Sequence, residues 1–377
     1  MPYVRQWVIV CSLALALFIA FPQTVSAEEV RDEYVRARVV RLLEKSEPDA
    51  LALSAIVQQV RLRIISGAAK GREVTAVNTI VSSQDSVASL AVGDEVVVLS
   101  SSEEGRDTDY YIVDYNRTFP LALIFIAFMG LGILFGRSHG IRALLGLGIS
   151  LAILTYYIVP QVIKGADPLL TSLIGAYAIA FLSIMLAHGI RTRTFVALAS
   201  TMITLGCAAG IAVLFVHAAR LFGTGTEEAV LLQLSPLETI NIQGLLLGGI
   251  LIGTLGVLDD ITTAQAAAVD ELKQVNPALD FHALYRHGIA IGREHIASLI
   301  NTLVLAYAAV SLPLFLLFSL YRTQPIWVVL NSDRVAEEII RTLVGSSALI
   351  IAVPITTLMA AWIFSRKNAI LISSPKP

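Results

Sequence analysis

The strongest constraint on this chain is a series of long apolar runs that fills its C-terminal two-thirds. Each run is close to the ~20 residues that an α-helix needs to cross the hydrocarbon core of a bilayer. Backbone amides in lipid must be hydrogen-bonded within the segment, which an α-helix achieves. We therefore expect an all-α membrane bundle of about seven transmembrane helices. The predicted spans are residues 119–136, 141–159, 168–188, 194–217, 242–261, 296–320 and 343–364.

The composition supports a membrane protein and gives little indication of a polar partner. Of the 377 residues, 56% are hydrophobic and only 15% are charged, whereas a soluble domain carries about 25% charged residues. The net charge of -2 and the lack of a basic cluster argue against a nucleic-acid partner. Cys11 and Cys207 lie in apolar runs, so no disulfide framework is expected. No Cys/His grouping has zinc-site spacing, and we expect no metal and no cofactor.

The N-terminus has the pattern of a secretory signal peptide. Arg5 supplies a positive charge, residues 7–21 form a short apolar run, and residues 25–27 form a cleavage site before an acidic pair. We expect residues 1–27 to be removed, and an uncleaved anchor is the alternative. In either case the segment that follows lies on the outer side of the membrane.

Residues 28–118 form the one segment with the composition of a soluble domain, and its pattern is mostly β. Short strands in which apolar and polar residues alternate are typical of a half-buried sheet. About five such strands predict a small extracytoplasmic barrel of the OB or SH3-like kind. The domain lacks an aromatic stacking stripe, which argues against nucleic-acid binding. The strand patterns occur at 34–42, 56–65, 92–99 and 109–115, with hairpin character at 67–77.

The basic residues predict the orientation of the transmembrane domain, residues 119–364. With the barrel outside, the connections that face the cytoplasm carry more Arg and Lys than the outer ones, as the positive-inside bias requires. The mature N-terminus is then outside, and residues 365–377 form a cytoplasmic tail. The inner connections hold Arg137, Arg142, Arg191, Arg193, Lys273, Arg286 and Arg293, and the outer ones hold Lys164, Arg220, Arg322, Arg334 and Arg341.

The fifth predicted span combines small residues with carboxylates in "GTLGVLDDITTAQAAAVDEL" (253–272). At 100° per residue, one helical stripe contains Gly249, Gly253, Gly256 and Asp260, and the neighbouring stripe contains Asp259 and Thr263. Stripes of small residues let helix backbones approach closely in lipid. We therefore expect the three glycines to pack against another helix, and the acids to face protein with them.

The adjacent aspartates are the leading functional candidates. A carboxylate at the centre of a membrane helix costs about 2.5 to 3.5 kcal/mol, and less toward the edge. Asp259 and Asp260 should lie in the cytoplasmic half of the membrane, where a bundle interior or a wet vestibule would solvate, protonate or pair them. The alternative is that they are ordinary interface residues in water.

The sixth predicted span offers partners for this pair. Glu294, Ser298 and Asn301 lie on one helical face, with His295 beside them. His295 is the side chain that can titrate near neutral pH. Alternatively, His295 is an interface anchor and Asn301 makes a helix–helix hydrogen bond.

Two long motifs carry a family resemblance. "GVLDDITTAQAAAVDEL" (256–272) and "IGREHIASLINTLVLAYA" (291–308) resemble the YibE/F-like family of bacterial multispan membrane proteins. The resemblance covers nearly the whole mature chain and implies the bacterial cytoplasmic (plasma) membrane as its location. Relatives carry Asp where this chain has Glu294, which leaves open whether that position ligates a metal. The family supplies no established substrate and no catalytic residues.

These observations favour a secondary transporter or exporter. Asp259 or Asp260 would bind the coupling proton or cation, and the site would be completed by Thr263, Glu294, His295 and Asn301. The expected partners are the lipid bilayer and an unknown small solute or ion. The sequence has no GxxxxGK[ST] motif, so ATP-driven transport would need a partner subunit.

Two other functions are weighed against transport. In the first, the chain is a non-transporting envelope factor whose outer β domain binds a partner protein or senses a signal. In the second, it is an intramembrane hydrolase. Two-aspartate hydrolases need the acids on separate helices, whereas Asp259 and Asp260 are adjacent, so we do not expect an enzyme. Homo-oligomerisation stays open.

Overall fold

The computed structural model describes residues 33–46, 56–80, 90–101, 108–234, 240–320 and 325–372. The predicted signal peptide lies outside the described residues. The described chain divides into two compact units, one ending at Leu131 and one beginning at Gly132.

The first unit contains a closed five-stranded barrel, which confirms the predicted β-rich domain. The strand order around the barrel is β1-β2-β3-β5-β4. Neighbouring strands are antiparallel, except that β3 and β5 meet in parallel at Val77 and Tyr111. The strands are β1 (Glu33–Ser46), β2 (Ile56–Ile64), β3 (Glu73–Ile80), β4 (Glu95–Ser101) and β5 (Asp109–Tyr115).

The interior of the barrel follows from the alternation of the strands. Val35, Val60 and Val96 are representative of the apolar residues that point inward and are buried. Gln58 is the buried polar exception, and both ends of its amide are satisfied by the backbone of Leu90, at 3.3 Å and 3.1 Å. A buried amide that kept neither bond would cost about 1–3 kcal/mol, so this pair fixes the segment at Leu90 to the barrel.

The second unit is helical. Asp167, Asn241 and Asp280 act as N-caps of three of its long helices, accepting hydrogen bonds from backbone amides at 2.8–2.9 Å, as residues of this type do. The helices, of which the first begins in the other unit, are α1 (Thr118–Ile153), α2 (Val159–Ile163), α3 (Pro168–His188), α4 (Thr192–Ala218), α5 (Glu227–Leu234), α6 (Ile242–Val275), α7 (Phe281–Val310), α8 (Leu312–Leu320), α9 (Ile326–Leu330) and α10 (Asp333–Ile372). A π-helical turn, Leu154–Ile158, joins α1 to α2.

Among the described residues, six helical segments are long and apolar enough to cross a membrane. The first, Thr118–Ile163, contains both of the first two predicted spans. Arg137 interrupts it with a non-helical backbone (φ 49°, ψ -129°). The segments before and after this break lie close together, since the Leu144 side chain is 3.7 Å from the position that a Cβ on Gly132 would take. A membrane bundle is therefore compatible with the structure, while the number of seven spans stays a prediction.

Helix α6 is the centre of the bundle. It packs against α3, α4 and α10, and α7 packs against α10 and α6. The largest buried cluster draws on α3, α4, α6 and α10, with Ala180, Leu205, Leu251 and Ala352 among its members. These contacts fix the orientation of α6, and with it the side chains of Asp259 and Asp260.

The barrel carries an acid-sensitive contact on its surface. The pKa of Glu95 lies below its usual value because Arg38 donates a hydrogen bond to it at 2.6 Å and Asn116 donates a second at 3.1 Å. A carboxyl with a lowered folded-state pKa stabilises the fold above its unfolded-state pKa, about 4.3 for Glu. That contribution is lost as the pH falls through the folded-state pKa.

We therefore expect Glu95→Gln to reduce the acid sensitivity of the barrel. Hydrogen–deuterium exchange of the β1 and β4 amides in the full-length protein, measured at about pH 5 and about pH 3, should show a smaller change in protection for the variant than for the wild type. Arg38→Gln should have the same effect because it removes the main donor. An equal change in all three proteins would contradict this assignment.

Candidate functional site

Helix α6 buries its large apolar side chains and exposes its stripe of small residues. Leu251, Leu258 and Ile261 are buried in the bundle core. Large side chains gain more dispersion contacts in a packed interface than glycine or alanine does, so this face is the one that packs. The exposed stripe consists of Gly249, Gly253, Gly256, Asp260, Ala264 and Glu271, with Ala267 partly exposed.

This finding corrects the packing role predicted for the three glycines. Within the described residues, a Cβ on Gly256 would meet no atom within 4 Å. At Gly249 and Gly253 it would meet only the ends of side chains, Arg341 at 3.9 Å and Tyr307 at 3.5 Å. No helix backbone in the described part of the chain approaches these glycines, so the small residues leave open space beside α6.

A groove of about 540 Å³ occupies part of this open space, between the C-terminal half of α1, helix α3 and helix α6. Most of its wall is apolar, including Leu147, Leu151 and Leu255. An apolar groove with a few polar groups is the usual form of a small-molecule site. The polar residues that line it are His139, Ser150, Ser183, His188, Asp259, Asp260 and Thr263.

Asp259 points from α6 toward α3. Its Oδ2 accepts a hydrogen bond from Ser183 Oγ at 2.9 Å. Its Oδ1 is buried and has no hydrogen-bond partner among the described residues. Helices α1 and α3 lie close together at this point, because Gly146 of α1 leaves room for Ser183 of α3. A Cβ on Gly146 would lie 3.7 Å from the Ser183 Cα. One carboxylate oxygen is therefore anchored and the other is left to bind a proton, a cation or water.

Asp260 is exposed and lines the same groove. Its neighbour across the groove is His188, on the last turn of α3, which lies within electrostatic range of Asp260, Arg193 and His139. The two aspartates thus have different surroundings: Asp259 has a neutral hydroxyl donor, and Asp260 is exposed in the groove with His188 nearby.

Thr263 is placed with the aspartates, as the sequence predicts. It lines the groove, and its hydroxyl donates to the backbone oxygen of Asp259 at 2.8 Å. The next residue toward the core, Thr262, shares a 2.7 Å hydrogen bond with Thr201 of α4. The Thr262 hydroxyl therefore connects the acidic turn of α6 to α4, whereas the Thr263 hydroxyl bonds within α6.

The predicted partners on the sixth span are not brought to the aspartates. Glu294 and Asn301 are exposed on α7, and neither they nor His295 line the groove. His295 is partly buried on the packed face of α7, where its Nδ1 has no hydrogen-bond partner among the described residues. The physical reason is that α7 packs mainly on α10 and α6 through other residues.

Gln265 is a structural residue that the sequence analysis missed. It is fully buried, and its Nε2 donates to Gly288 O at 2.7 Å and to Thr357 Oγ1 at 2.8 Å. It therefore ties α6 to both α7 and α10. The sequence signal that could have indicated this close contact is the spacing of Gly288 and Gly292, a small-xxx-small pair that lets helices approach closely in lipid. A Cβ on Gly292 would overlap Val353.

Two further cavities lie along the exposed stripe of α6, and one of them adjoins the groove. One, of about 280 Å³, shares His188 and Thr263 with the groove and also touches Arg193 and Thr194. The other, of about 540 Å³, is polar and lies at the end of α6. Its lining residues are Arg191, Thr192, Arg193, Asp270, Glu271 and Gln274. Open space thus follows α6 from Ile252 to Gln274.

The corrected packing of α6 can be tested with two glycines of one helix. A Cβ on Gly248 would overlap the Ser172 side chain and lie 3.2 Å from the Pro168 carbonyl oxygen, whereas Gly256 has free space. Gly248→Ala should destabilise the protein by about 1–3 kcal/mol through overpacking. Gly256→Ala should be neutral or stabilise by up to about 1 kcal/mol, since alanine is the better helix former.

The measurement is thermal unfolding of both variants in the same detergent. Helix propensity contributes equally to the two substitutions, so the difference between them reports packing alone. If Gly256→Ala destabilises as much as Gly248→Ala, then the exposed stripe packs closely against something in the folded protein.

Comparison with known proteins gives a family match to the helical unit. A family model described as YibE/F-like protein matches residues 124–366, which is more than half of the 377-residue chain. The matched region includes every residue that lines the groove. No curated protein and no solved structure matches the chain.

Proposed function

We propose that this chain, which belongs to the YibE/F-like family, is a secondary transporter of a small solute. Asp259 and Asp260 bind the proton or cation whose gradient drives it. The observation that carries the proposal is the position of Asp259 in an apolar-walled groove, with one oxygen anchored by Ser183 and the other unpartnered among the described residues.

The charge on Asp259 is energetically costly in this position. A carboxylate inside a membrane domain costs about 2.5 to 3.5 kcal/mol when it is unpaired, and the described residues offer Asp259 no salt bridge. A hydrogen bond from Ser183 offsets about 1.5–3 kcal/mol of such a cost. The remainder favours binding a proton or a cation, which is the property that a coupling residue needs.

The adjacency of the two aspartates gives them different roles. Successive side chains on an α-helix diverge by about 100°, so Asp259 is directed to Ser183 while Asp260 stays exposed in the groove. We assign Asp259 as the inner coupling carboxylate. Asp260 is the outer one, where an ion or proton from solvent first meets a negative charge.

The proposed coupling site contains fewer residues than the sequence predicts. Asp259, Asp260 and Thr263 share the groove, whereas Glu294, His295 and Asn301 do not line it. We therefore leave these three out of the coupling site. The location in the bacterial cytoplasmic membrane, with the N-terminus outside and the C-terminus inside, stays the prediction that the basic residues support.

The test is proton or cation flux into liposomes that contain the purified full-length protein. Asp259→Asn and Asp260→Asn should each reduce gradient-driven flux by at least about tenfold, the effect of losing roughly 1.4 kcal/mol at the coupling step. Glu294 does not line the groove, so flux through the Glu294→Gln variant should match that of the wild type. Equal flux in all four folded proteins would contradict the proposal.

A second candidate function is favoured by a surface of the barrel. One row of paired side chains crosses four neighbouring strands of the barrel. It consists of Tyr34 on β1, Leu99 on β4, Tyr111 on β5 and Val77 on β3. Three of them are strongly exposed, Tyr34 at 66%, Tyr111 at 51% and Val77 at 39%. A row of exposed apolar side chains is typical of a protein-binding surface. In this alternative the chain is an envelope factor that binds a partner protein through the barrel.

Site-specific photo-crosslinking distinguishes this alternative. A photoreactive residue at Tyr111 should capture one defined protein in intact cells. The same residue at Arg61, exposed on β2, which contributes no residue to this row, should not. Flux that is absent under every gradient, together with capture at Tyr111 alone, would favour the envelope factor over the transporter. Indistinguishable capture at the two positions would remove the support for the barrel surface.

A further inference from the structure

The first residues of α4 lie beside the smaller cavity. Helix α4 is 27 residues long, and its N-cap, Arg191, makes no side-chain capping bond. The first amides of a helix have no intrahelical partner, and its N-terminal end carries a partial positive charge. Such an end binds anionic groups when a suitable space adjoins it. A helix N-terminus alone does not make a binding site, and a second feature of the cavity must also point to a ligand.

That evidence is Thr194, in the first turn of α4. Thr194 is 2% exposed and lines the cavity of about 280 Å³. Its hydroxyl is buried and has no hydrogen-bond partner among the described residues. Buried hydroxyls are nearly always hydrogen-bonded, and leaving one unpaired costs about 1–3 kcal/mol. A polar ligand in the cavity would supply the missing partner.

The charges around the cavity favour a negative ligand. Of the described residues, Arg193 and His188 line it and no carboxylate does, while Asp270 and Glu271 line the outer cavity, which also includes Arg193. The other lining residues are Ala197, Thr263, Ala264 and Ala267, which add a hydroxyl and small apolar walls. Arginine is the side chain best suited to bind the planar or tetrahedral oxygens of a carboxylate or a phosphate.

We propose that this cavity binds the anionic group of the transported solute, a small molecule that carries a carboxylate or a phosphate. Arg193 provides the charge and Thr194 provides a hydroxyl donor, in the field of the N-terminal end of α4. The volume, just below the usual range of drug-sized pockets, which begins near 300 Å³, suits a small anion rather than a lipid.

The inference rests on the proposed transport function and names its substrate class. The cavity shares His188 and Thr263 with the groove that contains Asp259 and Asp260. An anion in the cavity and a proton or cation on the aspartates have opposite charge, so each favours the binding of the other. Such a coupling is reciprocal, and it is the thermodynamic requirement for moving the two together.

The test is a binding measurement that needs no flux. Purified full-length protein in detergent is titrated with inorganic phosphate, acetate and succinate, and binding is followed by calorimetry and by the shift in melting temperature. At least one of the three anions should bind the wild type. Arg193→Gln should weaken that anion about tenfold, the cost of one charged hydrogen bond. Thr194→Val should weaken it about threefold or more, the cost of one neutral hydrogen bond.

Arg191→Gln is the matched control. It removes the same charge from the same end of α4, at a residue that lines the outer cavity and not the smaller one, so affinity should change less than about twofold. Thr194→Val should also leave the ligand-free protein at least as stable, because the hydroxyl it removes is unpaired. This outcome keeps the test valid if Arg193→Gln folds poorly.

Three results would overturn the anion site: no binding of any of the three anions to the wild type, equal weakening by Arg191→Gln and Arg193→Gln, or unchanged affinity in Thr194→Val. These failures are separate from failure of the transport proposal. If flux depends on Asp260 and no anion binds, only the substrate class is wrong. If an anion binds at Arg193 and flux ignores both aspartates, the coupling assignment is wrong.

Discussion

The arrangement of the helical unit depends on which face of α6 is buried in the core. The helix carries a face of large aliphatic residues and a face of glycines, alanines and acids, and the aliphatic face is buried against three neighbours. Dispersion contacts explain the choice, because in lipid the gain from association comes mainly from packing. The small-residue face is left beside open space. Asp260 lies on it, and the partly buried Asp259 lies at the border of the two faces. Gln265, fully buried on the packed face, ties the same helix to α7 and α10, so the acids sit on a firmly held element.

The architecture separates a rigid part from an accessible part. The buried side of α6 is filled by apolar residues and by satisfied hydroxyls such as the pair Thr201 and Thr262. The opposite side is lined by a groove and two further cavities. Among the polar atoms of their lining residues, Asp259 Oδ1 and Thr194 Oγ1 lack partners within the described part of the chain. Unpaired buried polar atoms are costly, and among the described residues they occur on both sides of α6, since Gln265 Oε1 on the packed face also lacks a partner. The groove is distinguished by combining such an atom, Asp259 Oδ1, with open space beside it.

The sequence predicts the classes of structure well and the contacts poorly. Strand alternation and apolar runs are local signals, and they indicate the barrel and the long helices. The stripe of small residues on α6 is also local, but whether it packs depends on competition with the Leu and Ile face, which periodicity cannot rank. Glu294 and Asn301 share a helical face, yet the direction of that face depends on how Gly288 and Gly292 seat α7 against α10. The role of Ser183 was not predictable, because it is 76 residues from Asp259 in the chain.

The central claim is that the small-residue face of α6 lines a path open to water. Cysteine accessibility tests it directly, in full-length protein in membranes with Cys11 and Cys207 replaced by serine. A membrane-impermeant thiol reagent should label Ala264→Cys, which lines the smaller cavity, and should not label Leu214→Cys, which is 64% exposed on α4 and is expected to face lipid. Labelling of Ala264→Cys alone is the predicted result. If both cysteines resist the reagent, then lipid or a second copy of the chain covers this face, and the account of a solute path beside Asp259 and Asp260 is wrong.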